Sequence, residues 1–293
     1  MRIIVFIVLV VLLACSKEVE IDQVDYERKI VVDGWIENEG RANVLLTMSS
    51  PFLTDYDSAS IRNTFLNYAK VTITNGKGES EVLTLTHQDE FFPPFIYKSI
   101  SMKGETGENY QLEVSYKGKL VTAFTTIPSL PDVEWLKSEA VSDSAMVISG
   151  CVNDDALNIN YYYSQIKTLH FDTRFHPSDN PLMNDNLFNG KQHIFQVKRS
   201  NQPDPLNIYN IDSERNILSD EFAITDTVLV KISQIDAESY RVLNGIYLDH
   251  LSHGNPFSLV DQKTHTNVKG GIGRWTGMAS LNYMITHEKA PQQ

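Results

Sequence analysis

The segment Tyr110-Gln111-Leu112-Glu113-Val114-Ser115-Tyr116 alternates apolar and polar residues at period two, turns at Lys117-Gly118-Lys119, and resumes as Leu120-Val121-Thr122-Ala123-Phe124. Only a strand puts successive side chains on opposite faces, so this reads as a β-hairpin with one buried face. The pattern recurs. Lys29–Glu37 places Ile30, Val32 and Ile36 on one face, and further strands are expected at Ala42–Ser49, Tyr68–Thr74, Ser80–Thr86, Phe95–Ser101, Asn109–Tyr116 and Leu120–Thr126. Short strands with regular turns predict an immunoglobulin-like β-sandwich over residues 26–127. Ile127-Pro128-Ser129-Leu130-Pro131 then interrupts any ladder, because proline lacks the N–H donor and fixes φ. A second β-rich domain is expected over 132–286. Its polar stretches 172–191 and 200–221 read as long loops. One amphipathic helix is expected over Asp236–Leu251, capped by Ser233 or Asp236, with Tyr240, Leu243, Ile246, Tyr247 and Leu251 as its apolar stripe. The fold class is therefore mainly β, a sandwich followed by a second β-rich unit with one helix.

The start of the chain is of another kind. Arg2 precedes twelve uninterrupted apolar residues, Ile3–Ala14, and the run closes on Leu12-Leu13-Ala14-Cys15. A spanning helix needs about 20 apolar residues, whereas the core of a signal peptide needs about 7–15. Residues 1–14 therefore read as a signal peptide. Leu-x-Ala-Cys resembles the lipobox of bacterial lipoproteins, which implies a diacylglycerol and an acyl chain on Cys15 as the membrane anchor. Each buried methylene adds ~0.8 kcal/mol, so several chains on one residue hold a protein durably. Residues 15–25 form a polar, acidic leash. Within it Ser16-Lys17-Glu18-Val19-Glu20 resembles the surface-export signal of lipoproteins in the Bacteroidota, although any solvated leash is charged.

Charge and cysteine usage narrow the partners. With 25 Lys and Arg against 37 Asp and Glu, the net charge of -12 repels phosphate backbones and argues against nucleic acid as a partner. Of the two cysteines, lipidation would consume Cys15 and leave Cys151 without a disulfide partner. Cys151 sits in the apolar run Ala145–Val152, where a buried structural thiol is expected.

Few residues carry a chemical signature. Gly270-Gly271-Ile272-Gly273-Arg274-Trp275-Thr276-Gly277 fails the dinucleotide fingerprint, since its third glycine is late and its flanks read as strand. Positive φ or close backbone approach explains it better. Asp179–Gly190 is rich in oxygen donors, which makes Asp179 and Asp185 candidate Ca²⁺ ligands, but the EF-hand spacing is unmet and Asn and Asp also dominate ordinary turns. His250 and His253 form H-x-x-H without the glutamate of a zincin, and His170, His176 and His193 surround the first polar stretch. No catalytic residue is singled out. Of Trp35, Trp135 and Trp275, Trp35 and Trp275 are the candidate ligand-binding residues, and Trp35 stands out because its strand face also carries Asp33 and Glu37.

A series of segments runs the length of the chain in fixed order: Lys29–Ile36, Ser49–Phe52, Ala69–Ile73, Asn186–Lys191, Asn255–Phe257 and Asn267–Gly273. This series resembles the Bacteroidota lipoprotein family catalogued as domain of unknown function 4249, over roughly residues 15–280. The resemblance implies an outer-membrane or surface lipoprotein encoded near a TonB-dependent transporter, and it transfers no active site. The expected role is a non-enzymatic accessory lipoprotein that captures ligand or stabilises that transporter. The alternatives are a stand-alone glycan- or peptide-binding module, or a hydrolase with a carboxylate pair in the second domain.

Overall fold

Strand β1, Ile30–Glu37, alternates buried and half-buried residues along its whole length, with Ile30, Val32 and Ile36 inward. The computed structural model describes residues 27–50, 58–89, 93–199, 221–252 and 265–287. After β1 come β2 (Arg41–Met48), the short helix α1 (Ser58–Asn63), β3 (Lys70–Asn75), β4 (Ser80–Val82), β5 (Thr84–His87), β6 (Phe95–Lys103), β7 (Asn109–Tyr116) and β8 (Lys119–Thr126). Beyond the prolines follow β9 (Asp132–Ala140), β10 (Ala145–Asn153), β11 (Tyr161–Thr168), β12 (His176–Asn184), a 3-10 turn (Asp185–Leu187) and β13 (Gln192–Val197). The chain continues with β14 (Phe222–Ala223), β15 (Thr227–Ile235), helix α2 (Ala237–Ser252), β16 (Val268–Lys269) and β17 (Ile272–Thr286). No helix among the described residues is long and apolar enough to cross a membrane.

The protein is mainly β and built as packed sheets. An eight-stranded sheet, ordered β12-β11-β15-β17-β1-β2-β6-β5, is the spine. A five-stranded sheet, β16-β8-β7-β3-β4, packs on it through Ile30, Val32, Val44, Ile73, Leu112, Val114, Val121 and Trp275. A sheet of β9, β10, β13 and β14 packs on it through Met146, Ile148, Phe195, Tyr162, Val230 and Ile285. Trp275, Ala279 and Ile285 are an even number of residues apart on β17, so both smaller sheets cover the same face of the spine.

The expected strand Ser80–Thr86 proves to be two. At Leu83, whose N–H donates to Val71 O, the chain leaves the five-stranded sheet as β4 and joins the spine as β5. Pro128–Pro131 do interrupt the ladder between β8 and β9, yet the spine does not stop there. β17 pairs in parallel with β1 over Ile272–Met278 and antiparallel with β15 over Met278–Thr286, so it splints strands from both sides of the prolines.

Two other expectations change. The stretch 172–191, read as a long loop, contains β12 and the 3-10 turn. β12 is the outermost strand of the spine, where Pro177 and Pro181 interrupt no inner ladder and Asp179 and Asn180 are exposed to water. In the other polar stretch, residues 200–220 lie outside the described residues. Helix α2 forms where periodicity predicts it, but Ile246 and Leu251 remain exposed while Ser239, Val242 and Gly245 are buried. Residues 265–267 clasp its second side: His265 packs on Gly245 and Arg241 donates to Thr266 O at 3.1 Å. The helix starts at Asp236, whose Oδ1 accepts the N–H of Ser239 at 2.7 Å. Its other oxygen, Oδ2, accepts Thr125 Oγ1 and Thr126 N, tying the helix to β8.

The glycine cluster answers the question its sequence raised. A Cβ on Gly273 would lie 1.9 Å from Val32 O, and Gly270 and Gly273 have φ of 78° and 111°. The glycines let β17 come against β1 and β8, as close backbone approach requires.

Candidate functional site

The face of the spine opposite the two smaller sheets carries Asp33, Trp35 and Glu37 side by side on β1. Each carboxylate meets a cation. Arg274, the register partner of Asp33 on β17, donates Nε–H to Asp33 Oδ1 at 2.7 Å. Lys231 on β15 donates to both oxygens of Glu37 at 2.7 and 2.9 Å, and its Nζ lies 4.5 Å from the centre of the Phe175 ring. Burial alone would lower the pKa of Arg274. The charge of Asp33, with Tyr163 nearby, holds it above the ordinary arginine value.

Trp35 stands between these pairs on the strand. It packs, half-buried, on a cluster of Tyr163, Leu182, Ile235, Leu243 and Met278, together with Tyr161, Tyr240 and Tyr247. Tyr161 and Tyr240 have ring centroids 4.8 Å apart. The tyrosine hydroxyls are satisfied: Tyr240 Oη accepts from Asn184 Nδ2 at 2.9 Å and Tyr247 Oη accepts Asn180 N at 3.1 Å. Burial raises the pKa of Tyr247. Both carboxylates of this strand face are thus engaged by cations, on either side of a partly buried aromatic cluster.

At the top of α2 a half-open cleft of about 490 Å³ lies between the proline segment and the 158–161 stretch, with Tyr161, Ile235 and Asp236 in its lining. Tyr161 also belongs to the Trp35 cluster and so joins the two features.

The remaining sequence candidates do not converge. Trp275 is fully buried, and its Nε1–H donates to Tyr110 O at 3.0 Å, so it is a core anchor and not a ligand platform. Trp135 lies under Lys137, whose Nζ is 5.0 Å from its ring. Asp179 is exposed on β12, whereas Asp185 is buried at the start of the 3-10 turn and accepts Asn160 N at 2.7 Å. The two do not share a site, and no group of three or more potential metal ligands occurs among the described residues. His170 occupies a left-handed turn at φ 63°, His176 faces Asp172 at 3.3 Å and His193 stacks on Phe188 at 4.1 Å. The side chain of His250, along with His253 and Cys15, lies outside the described residues. Cys151 is buried as expected, and burial, with Glu134 nearby, pushes its thiol pKa up.

Arg274, Lys231 and Tyr163 were not legible as site residues. Arg274 lies in a glycine-rich strand 241 residues from its partner, and nothing local marks the pairing.

The family model described as Domain of unknown function (DUF4249) matches residues 16–282. The chain belongs to this family. No curated protein matches the DUF4249 chain. Among solved structures, a DUF4785 family protein from Legionella pneumophila is similar at 12% identity over 71% of this chain and 52% of its own, with a TM-score of 0.22. The DUF4249 chain thus spans about half the length of that structure, and so low a score carries no argument about function.

Proposed function

We propose that this DUF4249 chain is a non-enzymatic lipoprotein of the outer membrane, facing the cell surface, that works beside a TonB-dependent transporter in capturing ligand or stabilising the complex. The observation that carries the reading is the twelve-residue apolar run ending in Leu12-Leu13-Ala14-Cys15. The family match begins at residue 16, directly after that cysteine. In this reading residues 15–25 are a leash of eleven residues that reaches about 40 Å at most. It joins the folded body near Glu27, where Lys119 Nζ contacts Glu27 Oε1 at 3.2 Å and Arg28 O at 3.0 Å.

Mass spectrometry of the N-terminal peptide of the full chain tests the anchor. A thioether-linked diacylglycerol on Cys15 is expected, and Cys15→Ser should release the protein from membranes. An unmodified sulfur in membrane-associated protein overturns it.

A stand-alone binding module for glycans or peptides is the second reading, favoured by the half-buried Trp35 among Tyr161, Tyr240 and Tyr247. Aromatic faces stack on sugar rings and prolyl or aromatic side chains. A glycan array probed with the full chain and with Trp35→Ala tests it: signal lost in the variant supports this reading, and no signal from the full chain removes the glycan arm.

A further inference from the structure

Two loops at one end of the β10–β11 and β12–β13 connections are bound together along both sides. Asp154 N donates to Lys191 O at 3.2 Å, and Asp154 Oδ2 accepts Gly190 N at 2.8 Å. At the other side Asp185 N donates to Asn160 O at 3.2 Å, and Asp185 Oδ2 accepts Asn160 N at 2.7 Å. Tyr162 Oη donates to Asp154 Oδ1 at 2.7 Å beneath them. Between these braces, Asp155 Oδ1 accepts Leu157 N at 3.0 Å and its Oδ2 accepts Asn158 Nδ2 at 2.8 Å, which sets the tip of the first loop. Phe188 is buried against His193 and anchors the second.

So firmly held a pair of loops would be expected to show water polar tips. Leu157 is instead 90% exposed, Leu187 95% and Ile159 62%. One exposed leucine is ordinary, but three large apolar side chains on two mutually braced loops gain nothing for the fold. Around them the acids outnumber the bases. Asp132, Asp154, Asp155 and Asp185 have no ion-pair partner among the described residues, and Lys191 is the cation on the same loops. Asp132, Asp154 and Asp185 all lie close enough to the Tyr162 hydroxyl to raise its pKa, after burial itself.

We infer that residues 154–159 and 185–190 form a preorganised docking spur, in which Leu157, Ile159 and Leu187 enter an apolar pocket of a partner protein whose rim carries Lys or Arg to meet Asp132, Asp154 and Asp155. Preorganisation lowers the entropy cost of binding, and apolar anchors inside a charged rim are how compact interfaces concentrate affinity. A lipid surface fits poorly, because the carboxylates would be repelled by anionic headgroups and desolvated on insertion. The spur rests on the folded body alone and does not depend on the proposed anchor at Cys15, so either proposal can fail without the other.

The test uses the full chain in native membranes with photoreactive p-benzoylphenylalanine replacing Leu157, Leu187 or, as a control, Tyr68, which is 93% exposed elsewhere. One protein should be captured from 157 and 187 and not from 68, through a contact peptide that contains apolar residues flanked by Lys or Arg. With the probe at 187, Asp155→Lys should lower the crosslinked fraction about tenfold, and with the probe at 157, Leu187→Asp should do the same. Leu187 is free of packing, so its variant should melt like the parent. The inference is overturned by the absence of an adduct, by adducts with lipid or with a second copy of this chain, or by equal capture from 68. A contact peptide without basic residues, or a yield insensitive to both variants, also overturns it.

Discussion

Asp33 and Arg274, 241 residues apart in the chain, are direct register partners in the parallel ladder of β1 and β17, and their side chains meet at 2.7 Å. The pair is one-fifth to one-quarter exposed, so solvent weakens it relative to a fully buried bridge. A double-mutant cycle with Asp33→Asn and Arg274→Met, followed by urea denaturation, should give a coupling energy of about 1–2 kcal/mol. A coupling near zero would mean that the ladder alone holds these strands.

Gly273 and Gly78 both have left-handed backbones, with φ of 111° and 84°, but their surroundings differ. A Cβ at 273 collides with Val32 O, while at 78 nothing lies within 4 Å. Gly78→Ala should therefore cost only the conformational strain, about 1–2 kcal/mol. Gly273→Ala should cost about 3 kcal/mol or more, because β1 and β17 must separate. Thermal melts of the two variants check the contrast, and equal losses contradict it.

Glu81 holds the bulged stretch of β6, where its register against β2 shifts, by accepting the backbone N–H groups of Ile100, Ser101 and Met102. Burial raises its pKa, but these three donors and Arg41 outweigh burial and set it below the ordinary glutamate value. Since the folded-state pKa is depressed, the stabilisation is present above the unfolded pKa of about 4.3 and is lost as pH falls through the folded value. The stability difference between the parent and Glu81→Gln should be about 1–2 kcal/mol at pH 7 and shrink below pH 4. A difference that grows on acidification would reverse the assignment.

Asp236 joins helix α2 to strand β8 through Ser239, Thr125 and Thr126. Asp236→Ala removes a cap and orphans two donors on β8, a loss of about 2–3 kcal/mol. Asp236→Asn retains one acceptor oxygen and should recover about half of it. Hydrogen exchange at the start of α2 and at Thr126 should accelerate together in the alanine variant; acceleration of the helix alone would break the proposed link.

Much of the local structure was legible because it depends on neighbours in sequence. Period two in Lys29–Glu37 and Tyr110–Tyr116 predicts β1 and β7 with their apolar faces inward, whereas β8 was legible as a strand but not its face, since Leu120 and Phe124 point outward and Val121 and Ala123 are buried. A cap at Ser233 or Asp236, which the structure resolves to Asp236, Cys151 as a buried thiol and the glycines at 270–273 as close-approach or positive-φ positions follow from local chemistry in the same way. Where a polar strand lies at the edge, as β12 does, the same rules mislead, since its prolines and asparagines look like a loop until the position in the sheet is known.

Composition and periodicity by themselves determined a mainly β chain, many of its strand segments though not β12 or the break between β4 and β5, the helix after Asp236, and the apolar start that closes on Cys15. Tertiary structure alone decided that β17 splints strands from both sides of Pro128–Pro131, that Trp275 is sealed in the core while Trp35 is not, that Arg274 and Lys231 clamp the acids beside Trp35, and that Leu157 and Leu187 stand out on loops bound to each other. The physical reason is that a residue's backbone preference is settled within a few neighbours. Its burial and its partners depend instead on which distant strand pairs with it and in what register, and a shift of one residue sends every side chain to the opposite face.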